Sequence, residues 1–304
     1  MSWGLLFSGQ GTQHDQMLPW LDGGDELVRR TEAALGVPDW RAAMNDAAWA
    51  SRNRNVQVLL TGIALAAWQQ LSPYLAQPAA VAGYSVGELA AFAAAGVVDG
   101  ATAIGLAASR ARAMDAAAAD CPGGLLAVSG LALSSLERLC VDSGAAIAIR
   151  NASDAAVVGG STAALSRLEQ RAIDSGAKCT ALNVEVASHT PAMQPAAEAF
   201  AAHLRAAPLR PPRTALFCNA SADRIMSADA AARALSLQIA QTVQWAGCME
   251  AMHGRRVSCV LEVGPGTALA TMWRRRYPDV PARSADEFRS ARAVADWVLR
   301  NVAS

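Results

Sequence analysis

The stretch "AAVAGYSVGELAAFAAAGVV", residues 79 to 98, constrains the fold more than any other part of the chain. A short apolar run ends in Gly83-Tyr84-Ser85-Val86-Gly87, and an alanine-rich segment follows at once. Alanine is the best intrinsic helix former, so the order predicts a strand, a sharp turn and a buried helix. That succession belongs to an α/β layered domain with parallel strands. Gly-x-Ser-x-Gly on such a turn is the pattern of a nucleophile elbow, which lifts the serine hydroxyl clear of the sheet. It also sets Ser85 at a helix N-terminus, where unpaired N–H groups and the positive dipole end favour a developing oxyanion. The Val86 amide is the natural first donor. A plain glycine turn is the alternative reading.

A serine hydroxyl is a weak nucleophile until a base takes its proton. The four histidines are His14, His189, His203 and His253. His203 in "FAAHLRAAP" falls on a helix surface and His253 in "EAMHGRR" at a helix end. His189 in "VEVASHTPAM" stands at the end of an extended run, before a proline, where its side chain would project into a cleft. It is the favoured base, with His14, near the first glycine turn, as second choice.

The remaining sequence organises itself around this elbow. "WGLLFSG" reads as a first strand and "VQVLLTGIALAAWQQL" as a helix apolar on nearly every side, hence a core helix. Between Pro122 and His189 the order is βαββαβ, with strands "GGLLAVSG", "AAIAIRN", "AAVVGGS" and "CTALNVEVA". Its helices are expected to begin after Ser or Thr caps and to end at Gly144 and Gly176. This is the ferredoxin-like plan. The expected division is a large α/β, hydrolase-like domain of residues 1-121 and 190-304, interrupted by a small ferredoxin-like domain of 122-189. After His189, "RTALFCN" and "VSCVLEVGPG" read as strands, and "ALSLQIAQ" and "TALATMWRRRY" as helices.

Composition excludes several classes of protein. With 304 residues, 53% of them hydrophobic, the chain has enough apolar matter for a sizeable core and is not a disordered protein. Its formal charge is zero, so no global field draws it to nucleic acid or anionic lipid. Asn55 to Gly87 carries no charge, yet "QQLSP" and Pro78 divide it into a helix and a strand, so no membrane span is expected. The six cysteines show no metal-ligand spacing with the histidines and read as reduced thiols of a cytoplasmic protein.

Seven stretches, "FSGQGTQ", "GYSVGELAAF", "SRARAM", "NASDAAVVGG", "VASHTPAM", "QIAQTVQW" and "EVGPGTAL", occur in the order found in the malonyl-CoA:acyl carrier protein transacylases and the acyltransferase domains of polyketide synthases. The chain resembles that family over about residues 3 to 270. The resemblance implies a cleft between the two domains, with Ser85 as the acylated nucleophile and His189 as its base. A backbone carbonyl at Gln238 would orient the histidine, and the amides of Gln10 and Val86 would form the oxyanion hole. Arg110 would hold the free malonyl carboxylate, and Tyr84, Met114 and Asn151 would line the pocket. The implied activity is that of an [acyl-carrier-protein] S-malonyltransferase, by a ping-pong route from malonyl-CoA to a phosphopantetheine thiol. It needs no metal and no bound cofactor; CoA and an acyl carrier protein are the partners.

Three departures from the family pattern bear on selectivity. Tyr84 replaces the histidine of GHSxGE, Ser8 the proline before GQG, and Thr242 the proline before VQW. The first suggests a specialised relative, such as the malonyl transferase (epsilon) subunit of malonate decarboxylase or a stand-alone polyketide acyltransferase. Other classes are a serine esterase or thioesterase, which would use a triad carboxylate, and a non-catalytic carrier-binding subunit. Glu262 in "EVGPG" reads as scaffold. The arginines of "WRRRY" and "HGRR", with Arg205, Arg210 and Arg213, are candidate docking positions for an acidic carrier.

Overall fold

The computed structural model describes residues 2–303. β1 (Trp3–Phe7) is buried along its whole length and pairs in parallel with β2 (Ala80–Gly83). Two further groups of strands follow. β3 (Gly124–Ser129), β4 (Ala146–Ala152), β5 (Ala155–Gly160) and β6 (Lys178–Ala181) form one sheet, ordered β4-β5-β3-β6 and antiparallel throughout. β7 (Cys259–Val263) and β8 (Ala282–Ser284) complete the first sheet, ordered β2-β1-β7-β8 and parallel throughout. The protein is thus a mixed α/β fold containing a parallel sheet.

Parallel strands buried on both faces need helices on both sides. The helix Asn53–Leu71 is buried without a break from Asn55 to Ala67, as its all-round apolarity predicts. Leu59, Ile63, Leu89 and Phe92 belong to one core cluster with Leu5, Phe7 and Val81 of the sheet. Each such side chain contributes about 1.5–3 kcal/mol by leaving water. No helix among the described residues is long and apolar enough to cross a membrane.

Where local pattern and tertiary packing disagree, packing prevails. "RTALFCN" does not form a regular strand: Leu216 makes a single parallel bridge to Val81, with Val81 N donating to Ala215 O and Phe217 N to Val81 O. The strand expected over "CTALNVEVA" ends at Ala181. Val186 packs instead into the core beneath the parallel sheet, so its apolar side chain is satisfied without a ladder. The helix Leu133–Ser143 begins after Ala132 and has no side-chain cap, contrary to expectation, whereas Ser161 caps Thr162–Asp174. Gly144 and Gly176 both adopt positive φ at the helix ends. A further isolated parallel bridge ties Ile149 of β4 to Val243, with Arg150 N donating to Val243 O and Val243 N to Ala148 O.

Candidate active site

The elbow lies between β2 and the helix Gly87–Ala94. A Cβ on Gly83 would fall 2.0 Å from Gly87 O, and one on Gly87 would fall 2.4 Å from Phe7 O. Backbone occupies the space that any side chain would need. Ser85 sits in the left-handed region at φ 54°, a conformation that costs a non-glycine residue about 1–3 kcal/mol unless its surroundings hold it. Asn219, fully buried, grips the turn on both sides: its Oδ1 accepts from Ser85 N at 2.9 Å and its Nδ2 donates to Gly83 O at 2.7 Å.

His189 comes from the segment that returns from the antiparallel sheet. Its amide donates to Ile239 O at 2.8 Å and its Nδ1 to the backbone carbonyl of Gln238 at 2.6 Å. Because that carbonyl only accepts, the neutral ring carries its proton on Nδ1, and Nε2 accepts from Ser85 Oγ at 2.8 Å. Burial, reinforced by the nearby Arg110 charge and opposed by the Gln238 bond, pushes the imidazole down to about 3. A neutral base faces the hydroxyl at neutral pH.

Behind the pair lies a buried polar network. Gln238 Nε2 donates to Ser85 O and to Glu88 Oε2, both at 2.8 Å. Its Oε1 accepts from Arg110 Nη2 at 2.8 Å, while Arg110 Nη1 donates to Gln57 Oε1 at 2.6 Å. Arg110 is 2% exposed, and burial draws its guanidinium down to about 10, with Glu88 opposing. The Glu88 carboxyl also receives Asn219 N at 2.6 Å; burial raises it to about 8 against these donors and Arg110. Glu88, Gln57 and Asn219 were not singled out by sequence reasoning. The signal for the first two is polarity inside helices that are otherwise apolar and buried; Asn219 in "FCNAS" carries none.

A cavity of about 260 Å³ opens over Ser85 and His189. Gln10, Tyr84, Leu269 and Met272 line one side, and Leu125, Ala127, Ile149, Asn151 and Val157 of the antiparallel sheet line the other. The main-chain amides of Gln10 and Val86 have no hydrogen-bond partner among the described residues. Tyr84 OH donates to Asn151 Oδ1 at 3.1 Å and its ring meets Trp245 edge-on at 5.1 Å; burial raises the phenol above its ordinary value. Arg110 and Met114 are not on the cavity lining. Arg110 stands behind Gln238, and Met114 is buried with its sulfur 3.4 Å from Gln57 Nε2.

The other histidines are engaged elsewhere. His14 meets Asp286 at 2.9 Å, His203 is exposed, and His253 stacks on Tyr277 at 4.0 Å. Glu262 accepts from Ser8 Oγ and Ala270 N, both at 2.8 Å, and so ties the first glycine turn to the helix Ala268–Arg276. On that helix Arg275 faces Asp154 at 3.6 Å and Arg276 faces Glu250 at 3.4 Å.

A serine bonded to a neutral histidine, at a helix N-terminus with free amides beside it, defines a site equipped for acyl transfer through serine. Residues 5–298 match the acyl transferase domain, and the chain belongs to that family. It is 34% identical over 297 residues to the malonyl CoA-acyl carrier protein transacylase of Mycobacterium tuberculosis, covering 92% of this chain and 95% of that one. Against the Escherichia coli K12 malonyl CoA-acyl carrier protein transacylase the identity is 30%, with 93% and 95% covered. Among solved structures, a malonyl-transacylase in complex with a type II PKS acyl-carrier protein superposes with a TM-score of 0.90 at 26% identity, over 97% of this chain and 99% of that one.

Proposed function

We infer that this chain transfers a malonyl group from malonyl-CoA to the phosphopantetheine thiol of an acyl carrier protein, as an [acyl-carrier-protein] S-malonyltransferase. The observation that carries this is the 2.8 Å contact between Ser85 Oγ and His189 Nε2, with the ring held from behind by a main-chain carbonyl. Family membership and the names of its relatives support the substrate and the carrier. They do not favour the malonate decarboxylase, polyketide or thioesterase alternatives.

In this reading His189 takes the Ser85 proton as the hydroxyl attacks the thioester carbonyl, and the Gln10 and Val86 amides receive the developing oxyanion. Collapse expels CoA thiolate, protonated from His189, and leaves malonyl-Ser85. The carrier thiol then gives its proton to His189, attacks the ester and restores the serine. Arg110 receives the free carboxylate of the malonyl group; because it is buried behind Gln238 and off the cavity lining, the Gln238 side chain must give way to expose it. Gln57 and Gln238 engage one N–H on each terminal nitrogen and fix the guanidinium plane, which leaves further donors for the ligand. The apolar cavity wall keeps water sparse around the ester.

We also read residues 122–189 as an inserted ferredoxin-like domain, supported by the β4-β5-β3-β6 antiparallel order, and 1–121 with 190–304 as a hydrolase-like large domain. The six free cysteines support a cytoplasmic location. Incubation with malonyl-CoA followed by intact-mass measurement tests the whole reading. A malonyl increment on Ser85 is expected, absent from Ser85→Ala and discharged by a carrier thiol. Equal labelling of Ser85→Ala would refute it.

A further inference from the structure

The bonds around the elbow point to a role for a residue outside the serine–histidine pair. We propose that Asn219 is the positioning residue of the nucleophile: its side chain replaces a missing rung of the parallel sheet and holds Ser85 in the one backbone conformation that aims Oγ at His189. The proposal rests on Ser85 being the nucleophile, as inferred above.

The segment Ala215–Phe217 runs beside Val81, exchanging Val81 N to Ala215 O and Phe217 N to Val81 O. Continued two residues further, this parallel ladder would set the backbone of Asn219 against Gly83. The chain instead turns, with Cys218 N donating to Asp223 O and Ala222 N to Cys218 O. The ladder is lost where the sheet must release the elbow. Asn219 substitutes for it with one acceptor and one donor, to Ser85 N at 2.9 Å and from Nδ2 to Gly83 O at 2.7 Å. The amide orientation is fixed, because Ser85 N–H only donates and Gly83 C=O only accepts.

Asn219 is itself held on both sides of its backbone. Its N–H donates to Glu88 Oε1 at 2.6 Å and its carbonyl accepts from Gln244 N at 2.7 Å. Glu88 belongs to the helix that starts at Gly87, so the elbow, its helix and the 219 turn close a ring of bonds around a serine at φ 54°. Without the side chain, Ser85 is released toward an ordinary negative φ, which swings Oγ away from Nε2. Serine is too short to reach both groups, and aspartate keeps the acceptor while losing the donor.

The test is single-turnover acylation by malonyl-CoA for wild type, Asn219→Ala and Asn219→Asp. Each rate constant is referred to the number of active sites, taken from the end-point malonyl increment. A small fluorophosphonate serves as a second probe, since it labels the serine without a malonyl group. Misplacement by an ångström or so costs about 100-fold in rate. Asn219→Ala is therefore expected to acylate about 100-fold more slowly per site, with half-saturation by malonyl-CoA within about threefold. Fluorophosphonate labelling should slow in parallel, and Asn219→Asp should lie between. If Asn219→Ala does not fold, Asn219→Asp decides on the same criteria. A rate per site within about threefold of wild type overturns the proposal, as does a change confined to half-saturation. Failure of both variants to fold also overturns it, in favour of a purely architectural role. Absence of a malonyl increment on wild-type Ser85 is a separate result, and sinks the proposed function itself.

Discussion

The Nδ1–H of His189 ends on the main-chain carbonyl of Gln238, 2.6 Å away, where a serine esterase would set a carboxylate. The orienting group is therefore beyond the reach of side-chain substitution, and the Gln238 side chain is engaged in a different task.

Gln238→Ala keeps the carbonyl and removes the acceptor of Arg110 Nη2 and the donor to Glu88 and Ser85 O. Acylation by malonyl-CoA should persist while the preference for malonyl over acetyl narrows by about tenfold, the worth of one charge-assisted hydrogen bond. Paired rates with malonyl- and acetyl-CoA check this. A complete loss of both activities would contradict it.

Arg110→Ala should reduce malonyl transfer by roughly 100-fold or more, as expected when one partner of a buried charged pair is truncated, and acetyl transfer far less. Arg110→Lys should recover only part, because a single ammonium lacks the planar fork that spans Gln57 and Gln238. Equal losses for the two acyl groups would remove Arg110 from carboxylate recognition. The alanine variant should also be less stable by about 1–3 kcal/mol in urea, since the buried Oε1 acceptors of Gln57 and Gln238 lose their donors.

The pH dependence follows from the His189 imidazole, held at about 3 against an ordinary 6.5. The base form persists as pH falls through 6.5, so kcat/KM for malonylation should stay level there and decline only at much lower pH. In an Arg110→Met variant one cause of the depression disappears, and the acid limb should move upward. Stability has the matching sign. Between 6.5 and about 3 the unfolded chain binds the proton that the folded chain refuses, so His189 contributes stability above 6.5 and loses it progressively below. Rate profiles and urea midpoints across that range measure both effects.

Gly83→Ala would drive a methyl to within 2.0 Å of Gly87 O, a main-chain atom that cannot swing aside. Loss of about 3 kcal/mol or more, with acylation abolished, is expected from urea unfolding and intact mass. A folded, fully active Gly83→Ala protein would show that the elbow is looser than its packing implies.

Much of this was legible from local pattern. The elbow, β1, β7 and the long core helix carry largely apolar runs bounded by glycine or polar residues, signals that act within a few positions. The uncapped start of Leu133–Ser143 after Ala132 and the single bridge at Leu216 were not legible, because each depends on what the segment meets across the fold. Ser85 and His189 stood out by motif and by position, and they lie in hydrogen-bond contact. Arg110 was named through family resemblance alone, and lies off the cavity wall. Asn219, Glu88 and Gln57 escaped because a buried polar network leaves no periodicity: each is one polar letter whose partner is many residues away.

The cavity over Ser85 has two kinds of wall. The bonds that fix nucleophile and base run among Ser85, His189, Gln238 and Asn219, none of which belongs to the antiparallel sheet, whereas Leu125, Ala127, Ile149 and Val157 do. One wall of the cavity is thus encoded apart from the reactive pair. Chimeras that exchange residues 124–160 with a relative's should change the tolerance for acyl bulk while keeping the recipient's chemical step and, through Arg110, its preference for a carboxylate.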